Sequence, residues 1–319
     1  MKKIKVGVVG VGYLGQFHAE KYANMQNAEL VGVVDVDSAR AAQVANKLHT
    51  RAFSDPEQLL GQVDAVNIVI PTVLHHRIAK QFLEQSVNVL LEKPMCVTLE
   101  QADELIGLAE RKGVILQVGH IERFNPALTA IRGMVTSPCY ITTERTAPFT
   151  VRCTDVNVVL DLMIHDLDIV ADLAGSVPKE ISAAGASLIT KEIDTATARI
   201  VFRNGCIADV TASRILDEKK RLLRVFDGDK IFAADYQIQK ATLARKSDKA
   251  VPELTSQDIS IDRRDTLNEE IRSFVQSVHA GSRPLVSGIE GRRALALARM
   301  ITDSIEEGIA EFVQVTTPW

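Results

Sequence analysis

Asp161, His165 and Asp168 stand at i, i+4 and i+7 within Asp161-Leu162-Met163-Ile164-His165-Asp166-Leu167-Asp168. On a helix that spacing puts all three on one face. A carboxylate and an imidazole one turn apart suit general-base removal of a hydroxyl proton, because histidine titrates near neutral pH. The same three residue types also suit a metal ion or a plain solvated face, although no further ligand cluster accompanies them. A second candidate is Lys93, in Glu92-Lys93-Pro94 after the apolar run 87–91. Ligands of open α/β sheets bind at the carboxyl ends of such strands, where a lysine can hydrogen-bond a substrate hydroxyl; a solvated turn lysine is the plain alternative. The third group is Gly10-x-Gly12-x-x-Gly15. Gly10 permits a tight turn, Gly12 lets backbone approach a pyrophosphate, and Gly15 lets a helix pack on a strand.

The elements around these residues decide what the glycines mean. Ile4, Val6, Val8 and Val9 form an apolar run that reads as a buried parallel strand, and a helix pattern covers about residues 13–25. The helix start would offer free N–H groups and its positive dipole end to phosphates. A second apolar run, 29–34, ends in Asp35, about 20 residues past the last glycine, where a carboxylate can hold the ribose hydroxyls of an adenosine. Strands at about 51–53, 63–70, 87–91 and 114–118 alternate with helices at about 37–48, 74–85 and 98–112. That rhythm predicts a doubly wound parallel sheet. The pattern changes after residue 120. Helices are expected to about residue 134 and over about 157–173. Extended segments follow at 181–189, 195–202, 206–214, 221–226, 230–234 and 237–245, with hairpin signals at Asn204-Gly205 and Asp227-Gly228. Helices at about 266–279 and 289–307 close the chain, and 246–258 reads as a surface loop. The expected fold is therefore α/β: a Rossmann domain over 1–120 and an α+β domain with a largely antiparallel, open-faced sheet over 121–319.

Composition narrows the function classes. The chain has 319 residues, 46% hydrophobic and 24% charged, with a net charge of −4. No basic field points to nucleic acid or a membrane surface. Cys96, Cys139, Cys153 and Cys206 are scattered without a CxxC, which fits reduced thiols in a cytoplasm. No apolar run is long enough to span a bilayer.

Taken together, Gly10-x-Gly12-x-x-Gly15, the Pro71…His75 turn, Glu92-Lys93-Pro94, Arg123-Phe124-Asn125-Pro126 and Asp161-x-x-x-His165-x-x-Asp168 resemble the Gfo/Idh/MocA oxidoreductases over essentially the whole chain. The resemblance implies reversible hydride transfer between a sugar-like secondary alcohol and NAD(P), with Lys93, Asp161 and His165 as the catalytic set and no metal. It implies cofactor contacts from Gly10, Gly12, Tyr13, Leu14, Gly15, Asp35, Pro71, His75, Glu92 and Lys93. Asp35 favours NAD over NADP. Substrate contacts are expected from Lys93, Arg123, Asn125, Arg152, Asp161 and His165, the two arginines as partners for a diphosphate. The residues around 119–126 and 158–166 are most similar to the family's UDP-N-acetylglucosamine 3-dehydrogenase branch. Inositol, hexose or hexuronate dehydrogenases of the family, and a non-catalytic nucleotide-sensing protein, are the alternatives. The C-terminal sheet is expected to build a homodimer or homotetramer, with Val201, Ile207, Val210, Leu223, Val225 and Ile231 on its strands and one face without helices.

Overall fold

The computed structural model describes residues 3–150, 156–247 and 253–312. The chain divides into two compact units, 1–121 with 265–292 and 122–264 with 293–319. The first unit is built on a six-stranded sheet. Its elements are β1 (Ile4–Val9), α1 (Gly15–Ala23), β2 (Ala28–Val34), α2 (Ser38–Leu48), β3 (Arg51–Phe53), β4 (Ala65–Ile68), α3 (Thr72–Glu84), β5 (Asn88–Glu92), α4 (Leu99–Lys112) and β6 (Leu116–Gly119). The strand order is β3-β2-β1-β4-β5-β6, with every pairing parallel. Val6, Val8, Ala65, Val66, Ile68, Val89, Leu90 and Leu91 are fully buried, which is why these strands read as continuous apolar runs rather than alternations. The order reverses between β1 and β4, and a ligand crevice is expected at that switch point. Local signals set the helix ends. The Thr98 side chain accepts from Gln101 N–H to start α4, and Gly113, at φ 65°, ends it.

The second unit holds α5 (Pro126–Arg132), β7 (Tyr140–Thr146), α6 (Ile164–Ala174), β8 (Pro178–Ala186), β9 (Thr195–Phe202), β10 (Ile207–Ser213), β11 (Lys220–Asp227), β12 (Lys230–Asp235), β13 (Lys240–Lys246) and β14 (Leu254–Ile259). They form one eight-stranded sheet, ordered β14-β13-β12-β11-β7-β10-β9-β8. Every pairing is antiparallel except β7 with β10. That parallel pair lies inside the sheet, and the chain between its strands includes α6. Alternate strand residues such as Ala198, Ile200, Val210, Leu223 and Val225 bury into one core with α5, α6 and the later part of the last helix. On the opposite face Val201, Ile207 and Ile231 are only half-buried.

Three elements depart from the sequence reading. β7 had no counterpart in it, because Tyr140–Thr146 ends in five consecutive polar residues, Thr142-Thr143-Glu144-Arg145-Thr146, with no apolar alternation to mark a strand. β14 falls in the segment read as a loop; its exposed, polar residues pair through backbone with β13 at the sheet edge. Finally, α7 (Thr266–Ala280) buries Ile271, Phe274 and Val275 against Val6, Val8, Ala19 and Tyr22 of the first unit. A single cut after residue 120 therefore does not describe the packing. The last helix, α8 (Gly288–Phe312), runs from one unit into the other.

Candidate functional site

The glycine turn stands between β1 and α1. Gly10 has φ 87°, a value open to glycine, and a Cβ there would collide with the Val69 carbonyl oxygen. A Cβ on Gly15 would collide with the Gly10 carbonyl oxygen, so that glycine serves the fold. A Cβ on Gly12 would meet nothing within 4 Å. This open space lies where backbone must come close to a pyrophosphate. No side chain caps α1 at Leu14, which leaves the dipole end of the helix to a ligand. Tyr13 and Leu14 are exposed at that end.

A cleft of about 770 Å³ opens beside the turn, lined by Gly10, Gly12, Asp35, Arg40, Ile70 and Pro71, among others. Asp35 is buried at the end of β2. One of its oxygens accepts from Val11 N–H at 3.0 Å and the other from Asp37 N–H at 3.0 Å. Arg40 reaches back to it at 3.5 Å and to Asp37 at 3.2 Å. Two carboxylates and one guanidinium leave this corner with a net negative charge, matched to free ribose hydroxyls and opposed to a 2′-phosphate. NAD is therefore expected to bind roughly 10–100-fold more tightly than NADP. Titration of both cofactors checks this, and Asp35→Asn should narrow the gap.

The turn carrying Lys93 is held from below. Lys93 N–H donates to Glu92 Oε2 at 3.2 Å, and Glu92 Oε1 lies 3.4 Å from Nε2 of buried His18. His18 Nδ1 is 2.7 Å from Asn67 Oδ1, and Asn67 donates to the Leu90 carbonyl at 3.2 Å. Gly119 leaves room for the Glu92 carboxylate, which a Cβ there would crowd. Sequence reasoning missed His18, Asn67 and Gly119; the visible signal was Asn67, a polar residue inside the apolar run of β4. Glu270, on α7, is fully buried. Burial first, and the charge of Glu92 second, push its pKa well above the carboxylate range.

His75 lies on α3, in the first turn after Pro71. It is buried, with Nδ1 2.9 Å from the Pro94 carbonyl and Nε2 2.8 Å from the Ile70 carbonyl. Burial pushes its pKa down, outweighing both carbonyls. The ring lies between the turn after β4 and the Lys93-Pro94 turn, and in its neutral form its single N–H can donate to one of the two carbonyls. Pro71 lines the cleft as the residue before α3.

In the second unit, Asp161 lies in a π-helical turn, Val159–Met163, that leads into α6. The Ile164 N–H donates to the Val159 carbonyl, five residues back. In an α-helix, residues four apart are offset by about 40° around the axis. The wider turn takes up part of that offset and brings Asp161 more nearly above His165. Both are half-buried. Asp168 is buried and lies 3.6 Å from Arg123. Among the described residues no group of three or more His, Cys, Asp or Glu side chains could hold a metal ion.

Arg123 and Asn125 do not face outward as substrate ligands would. Arg123 is 1% exposed and donates to Asp172 at 2.8 Å. Asn125 caps α5 through Ala127 N–H at 3.0 Å, and its amide donates to Glu122 and to the Tyr236 carbonyl, each at 3.0 Å. The hydrogen bonds of both side chains lie inside the unit. Arg152 and Cys153 lie outside the described residues.

A parallel sheet with a glycine turn at its switch point, an acid at the end of β2 and an ionisable helix face on a second, mostly antiparallel unit define a dinucleotide-binding oxidoreductase. Residues 4–120 match the model of the oxidoreductase family with an NAD-binding Rossmann fold, and residues 139–230 match the GFO/IDH/MocA C-terminal domain. The chain belongs to the Gfo/Idh/MocA oxidoreductase family. It is 38% identical to UDP-N-acetylglucosamine 3-dehydrogenase of Acidithiobacillus ferrooxidans, over 96% of this chain and 98% of the relative. A solved structure of the enzyme of that name from the same organism superposes with a TM-score of 0.91 at 37% identity, covering 96% of this chain and 99% of the other. Myo-inositol 2-dehydrogenase of Thermotoga maritima is 27% identical over 95% and 97% of the two chains.

Proposed function

We propose that this enzyme oxidises the 3-hydroxyl of UDP-N-acetylglucosamine, or of a closely related sugar nucleotide, to a ketone, with NAD as acceptor. The observation that carries the reading is the near-full-length similarity, at 38% identity, to the dehydrogenase of that name. Bound NAD supplies the hydride acceptor. In this reading the 1–120 domain holds NAD through Gly10, Gly12, Tyr13, Leu14, Gly15, Asp35, Pro71, Glu92 and Lys93. The imidazole of His165 takes the hydroxyl proton as the carbon–hydrogen bond gives up its electron pair and the carbon–oxygen double bond forms. Lys93 supports negative charge on that oxygen. Asp161 orients the hydroxyl or the ring. Because Arg123 is committed inside the second unit, Arg152 is the arginine proposed for the diphosphate.

A panel of UDP-sugars, inositols and hexoses, incubated with NAD and followed by absorbance of the reduced nicotinamide, tests the substrate. Turnover of UDP-N-acetylglucosamine with a kcat/KM well above that of free sugars is expected. Preference for inositol would replace this reading with that of the more distant relatives.

We also propose a cytoplasmic homodimer or homotetramer built on the open face of the eight-stranded sheet. Half-buried Tyr140, Val201, Ile207, Phe226 and Ile231 lie there beside the Arg199–Asp209 pair. Light scattering at micromolar concentration should give at least twice the 34.9 kDa chain mass; the mass of one chain would remove the proposal.

A further inference from the structure

The segment Glu122-Arg123-Phe124-Asn125 turns its polar side chains into the second unit, toward the helix that carries His165. Buried Glu122 accepts at Oε1 from Nη1 of Arg145 and Nη1 of Arg221, each at 3.1 Å, and at Oε2 from Asn125 at 3.0 Å. Arg145, on β7, closes a fork on Asp166, with Nε at 2.6 Å and Nη2 at 3.0 Å from its two oxygens. Asp166 is the residue after His165. Burial works against charge on Arg145, but Asp166 and Glu122 outweigh it and hold the guanidinium protonated. Glu122 is held below the usual carboxylate range by Arg145 and Arg221 against its burial.

A second grip lies further along the same helix. Arg123 donates from Nη1 to the Asp168 carbonyl at 3.4 Å and from Nη2 to Asp172 at 2.8 Å. Arg132 pairs with the same Asp172. Asp166, Asp168 and Asp172 span nearly two turns of α6. One contact would leave the helix free to roll or slide. The Arg145 fork and the Arg123 grip, separated along its length, restrict both motions.

Stability alone does not explain this arrangement. A buried ion pair contributes little net stability compared with well-packed apolar residues, whereas its planar fork fixes geometry. We propose that the Glu122–Arg145–Asp166 network, together with Arg123 on Asp168 and Asp172, is a positioning device. It sets the rotation of α6 and thereby the aim of His165 and Asp161 at the reacting hydroxyl. The inference rests on the proposed catalytic roles of those two residues.

Three variants test it. Arg145→Lys keeps the charge and loses the fork; Asp166→Asn loses the charge. The Arg145→Met/Asp166→Leu double variant replaces the pair with apolar side chains and guards against a simple failure to fold. The readouts are kcat and KM per NAD-binding site, NAD affinity, thermal unfolding, and the isotope effect on kcat with UDP-N-acetylglucosamine deuterated at C3. The expected result is a fall of about 10–100-fold in kcat, the size of loss that small misalignments produce. NAD affinity should stay unchanged, and the isotope effect should rise as chemistry becomes rate-limiting. The fall should persist in the double variant when its melting temperature matches wild type, and Arg145→Lys should lie between the two. A kcat that drops only with the folded fraction, at constant isotope effect, overturns the proposal. So does wild-type kcat in all three variants. His165→Ala is measured alongside. Normal turnover there removes the catalytic reading and this inference with it. Impaired His165→Ala beside unimpaired network variants removes the inference alone.

Discussion

His165→Ala and Lys93→Ala are each expected to lower turnover by about 10²–10⁴-fold, the usual cost of losing a general base or its electrostatic partner. NAD affinity should stay close to wild type in His165→Ala, whose side chain is not part of the glycine turn or the Asp35 corner that define the cofactor cleft, and should fall in Lys93→Ala, because Lys93 is also proposed to hold NAD. Steady-state kinetics on the sugar nucleotide, with NAD binding measured separately, separates the two effects. The pH profile adds a second criterion. A base must be neutral to accept the proton, so wild-type kcat should fall on the acid side through the imidazole pKa, and His165→Ala should lose that limb. Near-normal turnover of His165→Ala across the pH range would pass the base assignment to Lys93.

The second large effect separates two glycines three residues apart. Gly15→Ala places a methyl group against the Gly10 carbonyl oxygen, a backbone atom that cannot swing aside. It is expected to cost about 3 kcal/mol or more of stability, the upper range for overpacking a close contact. Gly12→Ala meets open space and should melt like wild type. Its methyl group projects where the pyrophosphate must approach, so NAD affinity should fall by at least about 10-fold, the loss of a good hydrogen bond or close contact. Thermal unfolding with and without NAD distinguishes them. Gly15→Ala should lower the melting temperature in both conditions, and Gly12→Ala only the gain from NAD. Equal behaviour of the two variants would mean that the glycines do not divide fold from ligand in this way.

The glycine fingerprint was legible in the sequence because its demands are local. A positive φ at Gly10 and a strand followed by a helix are properties of neighbouring residues. The same holds for the Asn204-Gly205 and Asp227-Gly228 turns, where both glycines adopt positive φ, and for the Thr98 and Gly113 helix ends. Period and spacing also put Asp161, His165 and Asp168 on one helix. They could not say that Asp168 turns inward to Arg123 while the other two stay half-buried. His75, Arg123 and Asn125 show the same limit. Each has the chemistry of a ligand-binding residue, and each is committed to a partner 19 to 111 positions away in the chain. β7 and β14 became strands by pairing with β10 and β11 and with β13, and α7 joined the first unit by burying Phe274. Spacing states which side chains share a face. Which element covers that face, and so whether a charge meets solvent, substrate or an opposite charge, is decided when distant segments compete for the same buried surface.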